Sequence, residues 1–152
     1  MRHFVAARIA AGLRPELEAL VASNDDAPGT PYTFDAASAA RRAAKNKALA
    51  MLGLLGDEAV TADLLRRFRA ADNMTDRINA LACLAETPGA ARDAALAEYY
   101  EANKDKPLNM LKWLAVQVRA GRGGAGGAAR GGAGGAARGG AAARGCAGVG
   151  AR

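Results

Sequence analysis

Histidine is almost absent from this chain: His3 is the only one in 152 residues. Cysteine occurs twice, at Cys83 and Cys146, far apart and with no histidine at metal-ligand spacing. A zinc site built within the chain is not expected, because tetrahedral zinc needs several converging Cys or His ligands. Two isolated thiols make no disulfide framework and fit a reducing compartment. The expected location is intracellular, cytoplasmic or organellar, a plastid included. No H-E-x-x-H, G-x-S-x-G or G-x-x-x-x-G-K-S/T string is present. No apolar run reaches the roughly 18 residues that span a bilayer, so no membrane partner is expected. No catalytic, cofactor-binding or metal-binding residue is assigned, and the chain alone is not expected to be an enzyme.

Alanine, with 41 residues, and glycine, with 19, dominate what is there. Residues 120–152 hold 14 Gly, 12 Ala and five Arg. The formal net charge is +6, of which this tail carries +5; residues 1–119 hold 16 Lys+Arg against 15 Asp+Glu. High basicity is thus a property of the tail and does not argue that the body binds nucleic acid. Leu, Val, Phe and Ile supply 25 of the 119 body residues, slightly above the roughly 20% below which charged chains stay disordered. The composition predicts a folded domain over 1–119 and a low-complexity segment over 120–152. In the tail, RGGAGGAA repeats with an eight-residue period at Arg122 and Arg130 and in broken form from Arg138. So much glycine raises the cost of ordering and almost no side chain offsets it, so disorder is expected there.

The body reads as helix throughout, rich in Ala, Leu, Arg and Glu and without β-branched runs. A first segment over about Arg2 to Val21 has the stripe Val5, Ile9, Leu13, Leu17 and Leu20/Val21. Pro15 predicts a kink there, or two short helices with Pro15 opening the second. Residues 24–31 are a loop by composition. A second helix is predicted from about Ala36 to Leu55, with Asp35 or Ser38 as N-cap and Gly56 ending it. Its expected buried stripe is Ala40, Ala44, Ala48, Met51/Leu52 and Leu55, with Arg41, Arg42, Lys45 and Lys47 on the other faces. A third runs from about Glu58 to Ala71 with Val60, Leu64, Phe68 and Ala71 in line. A fourth, about Asp76 to Glu86, has Thr75 as N-cap and buries Ile78, Leu81, Ala82 and Ala85. A fifth, about Ala90 to Ala102, is opened by Thr87 and Pro88 and presents Leu96, Tyr99 and Tyr100. A sixth starts near Pro107 and carries Leu108, Leu111, Ala115 and Val118, with Trp113 beside them. Six helices with short connections predict an all-α fold of antiparallel pairs, as a bundle or a solenoid.

Several stretches then carry a resemblance. FVAARIAAGLRPELEAL at 4–20, PYTFDAASAARRAAKNKALAML at 31–52, FRAADNMTDRINALACLAETPGAARDAALAEYY at 68–100 and PLNMLKWLAVQ at 107–117 resemble the C-terminal domain of aminopeptidase N, the alanyl-aminopeptidase type of zinc metallopeptidase. The most specific elements are ARRA-x-KN-x-AL, the A-x-NMTD junction and KW-x-A-x-Q. The resemblance implies paired helices coiled into a superhelix. It also implies a domain that caps the internal chamber of a catalytic domain and limits entry to peptides. The partner it implies is that catalytic domain in a full-length protein, with peptide substrate met indirectly. Zinc, its ligands and the general base belong to the catalytic domain, so no cofactor is expected in this chain. On this reading the chain is a fragment truncated at both ends. The abrupt switch after Gln117 resembles a wrong exon, a shifted frame or a divergent end.

Functional readings stand beside plainer ones. NMTD at 73–76 either lines the chamber or is a capped helix junction. Arg41, Arg42, Lys45 and Lys47 either face a substrate passage or form a solvated helix face, the reading preferred here. Trp113, Tyr99 and Tyr100 are read as core anchors rather than a binding platform. Cys83 reads as a small buried apolar residue and Cys146 as an exposed thiol; His3 is assigned nothing. The basic, acid-free start MRHFVAARIAAGLR has the character of a transit peptide. Its periodicity runs on into Glu16, which favours an internal helix. Arg-Gly-Gly steps suit RNA arms, but the tail has no aromatic residue to stack, and nucleic acid is not expected as a partner. The rival readings are a helical interaction module with an RNA-binding tail and a non-functional gene-model fragment.

If the helices are part of a solenoid, the end helices expose apolar surface meant for neighbours. The purified chain is then expected to self-associate and to melt with low cooperativity. Sedimentation and calorimetry check this, and a sharply cooperative monomeric melt contradicts it.

Overall fold

The computed structural model describes residues 2–27 and 30–123, and the side chains of 4–27 and 30–121. The expectations for the His3 side chain, for Cys146 and for the repeat over 124–152 lie outside these residues. Seven helices make up the regular structure described: α1 Arg2–Gly12, α2 Arg14–Asn24, α3 Ala36–Gly53, α4 Glu58–Ala70, α5 Met74–Ala85, α6 Ala90–Asn103 and α7 Pro107–Gly123. None is long and apolar enough to cross a membrane. The predicted first segment is two helices broken at Leu13, with Pro15 in the first turn of α2. Proline is tolerated there because the first-turn amides have no intrahelical acceptor. At its far end α7 runs four residues past the compositional boundary at 119/120.

Consecutive helices pair, α2 with α3, α4 with α5 and α6 with α7. One layer is α3, α5 and α7 side by side, with α5 between the other two and α1 against α3. The helices α2, α4 and α6 pack behind it. The core between the layers holds Leu17 and Val21 of α2, Leu49 and Leu52 of α3, Leu64 and Phe68 of α4, Leu81 and Leu84 of α5, and Tyr99 of α6. Many contacts are small: Ala48, Ala80 and Ala95 are each buried almost completely, so helices approach closely while burying modest area per residue.

Caps fix where each helix begins. Asp35 accepts from the Ser38 amide at 2.9 Å, and Asp57 accepts from the Ala59 amide at 2.8 Å. Two predicted caps are corrected. Asn73, not Thr75, caps α5, its side-chain oxygen accepting from the Asp76 amide at 2.9 Å; Thr75 already lies inside the helix. The cap of α6 is Gly89, with no side-chain hydrogen bond, so Thr87 and Pro88 precede the helix instead of opening it. Gly56, at φ 64°, closes the turn after α3 in the left-handed region that glycine alone adopts cheaply.

The predicted stripe of α3 is also corrected. Ala40 is exposed and Ala44 half-buried, whereas Arg42, Lys45 and Asn46 are buried. Lys45 Nζ lies 3.0 Å from Asp76 Oδ2 and 3.3 Å from Asp25 Oδ1. Asn46 Nδ2 donates to Asp76 Oδ1 at 2.8 Å. Asp25 also meets Arg67 at 2.7 Å, and Arg67 meets Asp63 at 2.7 Å. This chain of charges ties the loop after α2 to α3, α4 and α5. Arg42 donates to the Thr33 carbonyl at 2.9 Å and lies 4.6 Å from the centre of the Tyr32 ring, a cation–π contact that pins the loop before α3. The solvated-face reading therefore fails for Arg42 and Lys45, which are held inside by partners.

Two expected buried stripes face outward. Val5, Ile9 and Leu13 are about half exposed, with Phe4 at 70%; α1 touches the core through Ala10. On α7, Leu108 is 76% and Leu111 62% exposed, and Leu114, Ala115 and Val118 are exposed too. Among the described residues of α7, Val116 is the buried one, with Trp113 and Ala120 packed partly beside it. The end helix is thus apolar on two opposite sides, the pattern of a helix sandwiched between neighbours.

The buried charges predict a pH response. Burial by itself raises the Asp76 carboxyl, but hydrogen bonds from Asn46, Lys45 and Asn73 and the charge of Lys45 outweigh it and hold the group below its ordinary value. Burial likewise opposes Arg67 and Arg66 at Asp63, which is also held low. A carboxyl depressed on folding contributes stability that is present above its unfolded value, about pH 4, and is lost as pH falls through the folded value. Chemical denaturation is expected to show stability falling below about pH 4. Asp76→Asn is expected to be about 1.5–3 kcal/mol less stable at pH 7 and flatter in acid; an unchanged acid limb contradicts this.

Candidate functional site

The outward face of the α3, α5 and α7 layer is grooved. The groove has a volume of about 990 Å³ and reaches from Ala6 on α1 to Lys112 and Arg119 on α7. Its floor is apolar: Ala43, Ala50 and Met51 from α3, Leu54 just after it, and Met74, Ile78 and Ala82 from α5. Ile78 and Ala82, predicted to be buried, are half-buried because they form this floor. Asn46 and Asn79 bring polar groups into it, with Asn79 Nδ2 donating to the Asn46 carbonyl at 3.3 Å. Its rim carries Lys47, Lys112 and Arg119, with Glu86 at the end of α5.

The candidates from the sequence divide across this surface. Within NMTD, Met74 and Thr75 line the groove while Asn73 caps α5 and Asp76 pairs with Lys45 behind it; the capped-junction reading holds for Asn73. Of the four cations on α3, Lys47 alone lines the groove. Arg41 is exposed, 3.5 Å from Asp26, and Arg42 and Lys45 are buried in the partnerships described above. Tyr99 is 1% exposed and anchors the core. Trp113 donates from Nε1 to the Leu96 carbonyl at 3.0 Å and stacks at a tilt on the exposed Tyr100, 5.3 Å between centroids. Together they form a brace between α6 and α7.

Cys83 is buried beneath the groove, as expected of a small apolar residue. Burial, reinforced by the charge of Glu86, pushes its thiol up to about 12. It stays protonated at neutral pH and is a poor nucleophile and metal ligand. Among the described residues no group of three or more His, Cys, Asp or Glu is placed to hold a metal ion. The arrangement offers apolar contact, amide hydrogen bonds and positive charge, which suits binding and gives no acid–base pair aimed at a common point.

Lys112, Arg119, Asn79 and Glu86 were not singled out from the sequence. Lys112 and Arg119 stand seven residues apart on α7, two turns along one side of the helix. That spacing was available as a signal, but the apolar stripe beside it drew the reading inward.

Comparison with known proteins places this architecture. A family profile described as a domain of unknown function (DUF3458_C) with ARM repeats matches residues 1–129. Over 88 residues, 58% of the chain, the sequence is 39% identical to an aminopeptidase N of Caulobacter vibrioides. The chain covers 10% of the length of that relative. The repeat description agrees with the stacked helix pairs, the two-layer packing and the apolar end helices. The chain belongs to the DUF3458_C ARM-repeat family, the C-terminal helical domain of the aminopeptidase N family.

Proposed function

We propose that this domain is a non-catalytic wall of a zinc metallo-aminopeptidase, closing the internal chamber of a separate catalytic domain and limiting entry to peptides. The observation that carries the reading is α7, apolar on two opposite sides in a chain of this family. Such a helix is stable when something stacks on its open side, since each exposed leucine withdrawn from water contributes about 1.5–3 kcal/mol. The grooved layer supports a role facing substrate, because it combines an apolar floor with unoccupied charge at the rim. Zinc, the peptide-activating base and the grip on the substrate amine belong, on this reading, to the catalytic domain. The peptide is met here in passage, and the chain's own residues bind, orient and exclude without exchanging a proton.

The purified chain is expected to release no arylamine from an alanyl-arylamide with zinc added. Turnover that depends on metal and survives repurification refutes the proposal.

A further inference from the structure

The cations that line the groove differ from the arginines of α2 and α4 behind it. Arg14, Arg66, Arg67 and Arg69 on α2 and α4 each have a carboxylate partner. Lys47, Lys112 and Arg119 line the groove, and none makes an ion pair among the described residues. Glu86 is the carboxylate that lines the groove with them, so the described lining carries an excess of two positive charges. Between the cations the floor is made of small and adaptable side chains. Ala43, Ala50 and Ala82 leave room for a backbone to come close, and Met51 and Met74 reshape to fit what lies on them.

The spacing constrains the occupant. Packed helices lie about 8–10 Å apart, so the path from α3 over α5 to α7 is roughly 16–20 Å. An extended strand rises about 3.3 Å per residue and crosses that distance in five or six residues. We infer that the groove binds an extended acidic peptide segment. Apolar side chains rest on the Ala and Met floor, one carboxylate meets Lys47, and another, about five residues along, meets the α7 rim at Lys112 or Arg119. Charge complementarity selects this occupant, since a basic segment meets repulsion at both rims. The inference rests on the proposed function for the source of the peptide, a substrate in passage; the binding chemistry is the groove's own.

The test uses the full chain and a fluorescein-labelled peptide Glu-Leu-Ala-Leu-Ala-Glu, with Lys-Leu-Ala-Leu-Ala-Lys as its counterpart, followed by fluorescence anisotropy. An exposed ion pair contributes up to about fivefold in affinity, so the acidic peptide is expected to bind about tenfold tighter at low ionic strength. The advantage shrinks at about 0.5 M salt. The combined reversal Lys47→Glu, Lys112→Glu and Arg119→Glu is expected to invert the preference, while Lys106→Glu, outside the groove, leaves it unchanged. Should the reversal unfold the chain, the triple Gln variant with unchanged helical circular dichroism is expected to abolish the preference. Equal binding of the two peptides, no saturable binding of the acidic one, or a preference that survives the rim substitutions overturns the inference. Those outcomes leave the absence of turnover untouched, whereas metal-dependent turnover overturns the wall function and leaves the groove assignment standing.

Discussion

A lysine ammonium held between two helices sets the geometry of this domain. Lys45 is buried on α3, where an unpaired charge is costly enough to prevent folding in that arrangement. It is tolerated because Asp76 and Asp25 reach it from two directions. Asp76 is in turn placed by the Asn73 cap that starts α5 and by the Asn46 amide one residue beyond Lys45. Asp25 extends the chain of charges to Arg67 on α4. A shift of α5 along α3 by one turn, about 5.4 Å, breaks the contacts of Lys45 and Asn46 with Asp76. The pairing therefore specifies register in a core whose alanines, small and alike, specify little by shape. Whether a buried pair also adds net stability depends on the desolvation it incurs; its role in register follows from geometry alone.

The same register builds the groove. Asn46 and Lys47 follow Lys45 on α3, and Thr75 precedes Asp76 on α5, so fixing the buried pair also fixes the surface residues beside it. The inner side of these helices is spent on holding the layers together, and the outer side is left with an apolar floor and unpaired cations. At the two ends of the array, α1 and α7 keep apolar stripes in solvent. A stacked architecture gives each repeat stability from its neighbours, so the middle of this chain is well supported and its ends depend on what adjoins them.

Much of the fold was legible in the sequence. Helix content, the break at Pro15, the Asp35 cap, the Gly56 stop and the core positions Leu64, Phe68 and Leu81 all follow from periodicity and capping chemistry. The family was legible too, through the order of ARRA-x-KN-x-AL, NMTD and KW-x-A-x-Q. Periodicity failed where it met an exchange of roles. On α3 two of the four cations are buried, because Lys45 and Arg42 have partners outside the helix, and no local pattern reports them. On α1 and α7 the apolar stripes were read as core, yet they face outward, since a stripe records that something packs there and not which polypeptide supplies it. The groove was illegible for a related reason: its residues come from four helices, and only their packing brings Lys47 onto the same surface as Lys112 and Arg119.

Native-state hydrogen exchange measures the central claim directly. Amides in the middle of α3 and α5 are expected to exchange most slowly and together, through one opening that also disrupts the Lys45–Asp76 pair, while α1 and α7 exchange through smaller local openings. Replacing Asp76 with Asn is expected to accelerate α3 and α5 in step. Equal protection of α1, α7 and the two central helices, or an Asp76 variant in which α3 alone responds, contradicts a domain organised around that buried charge.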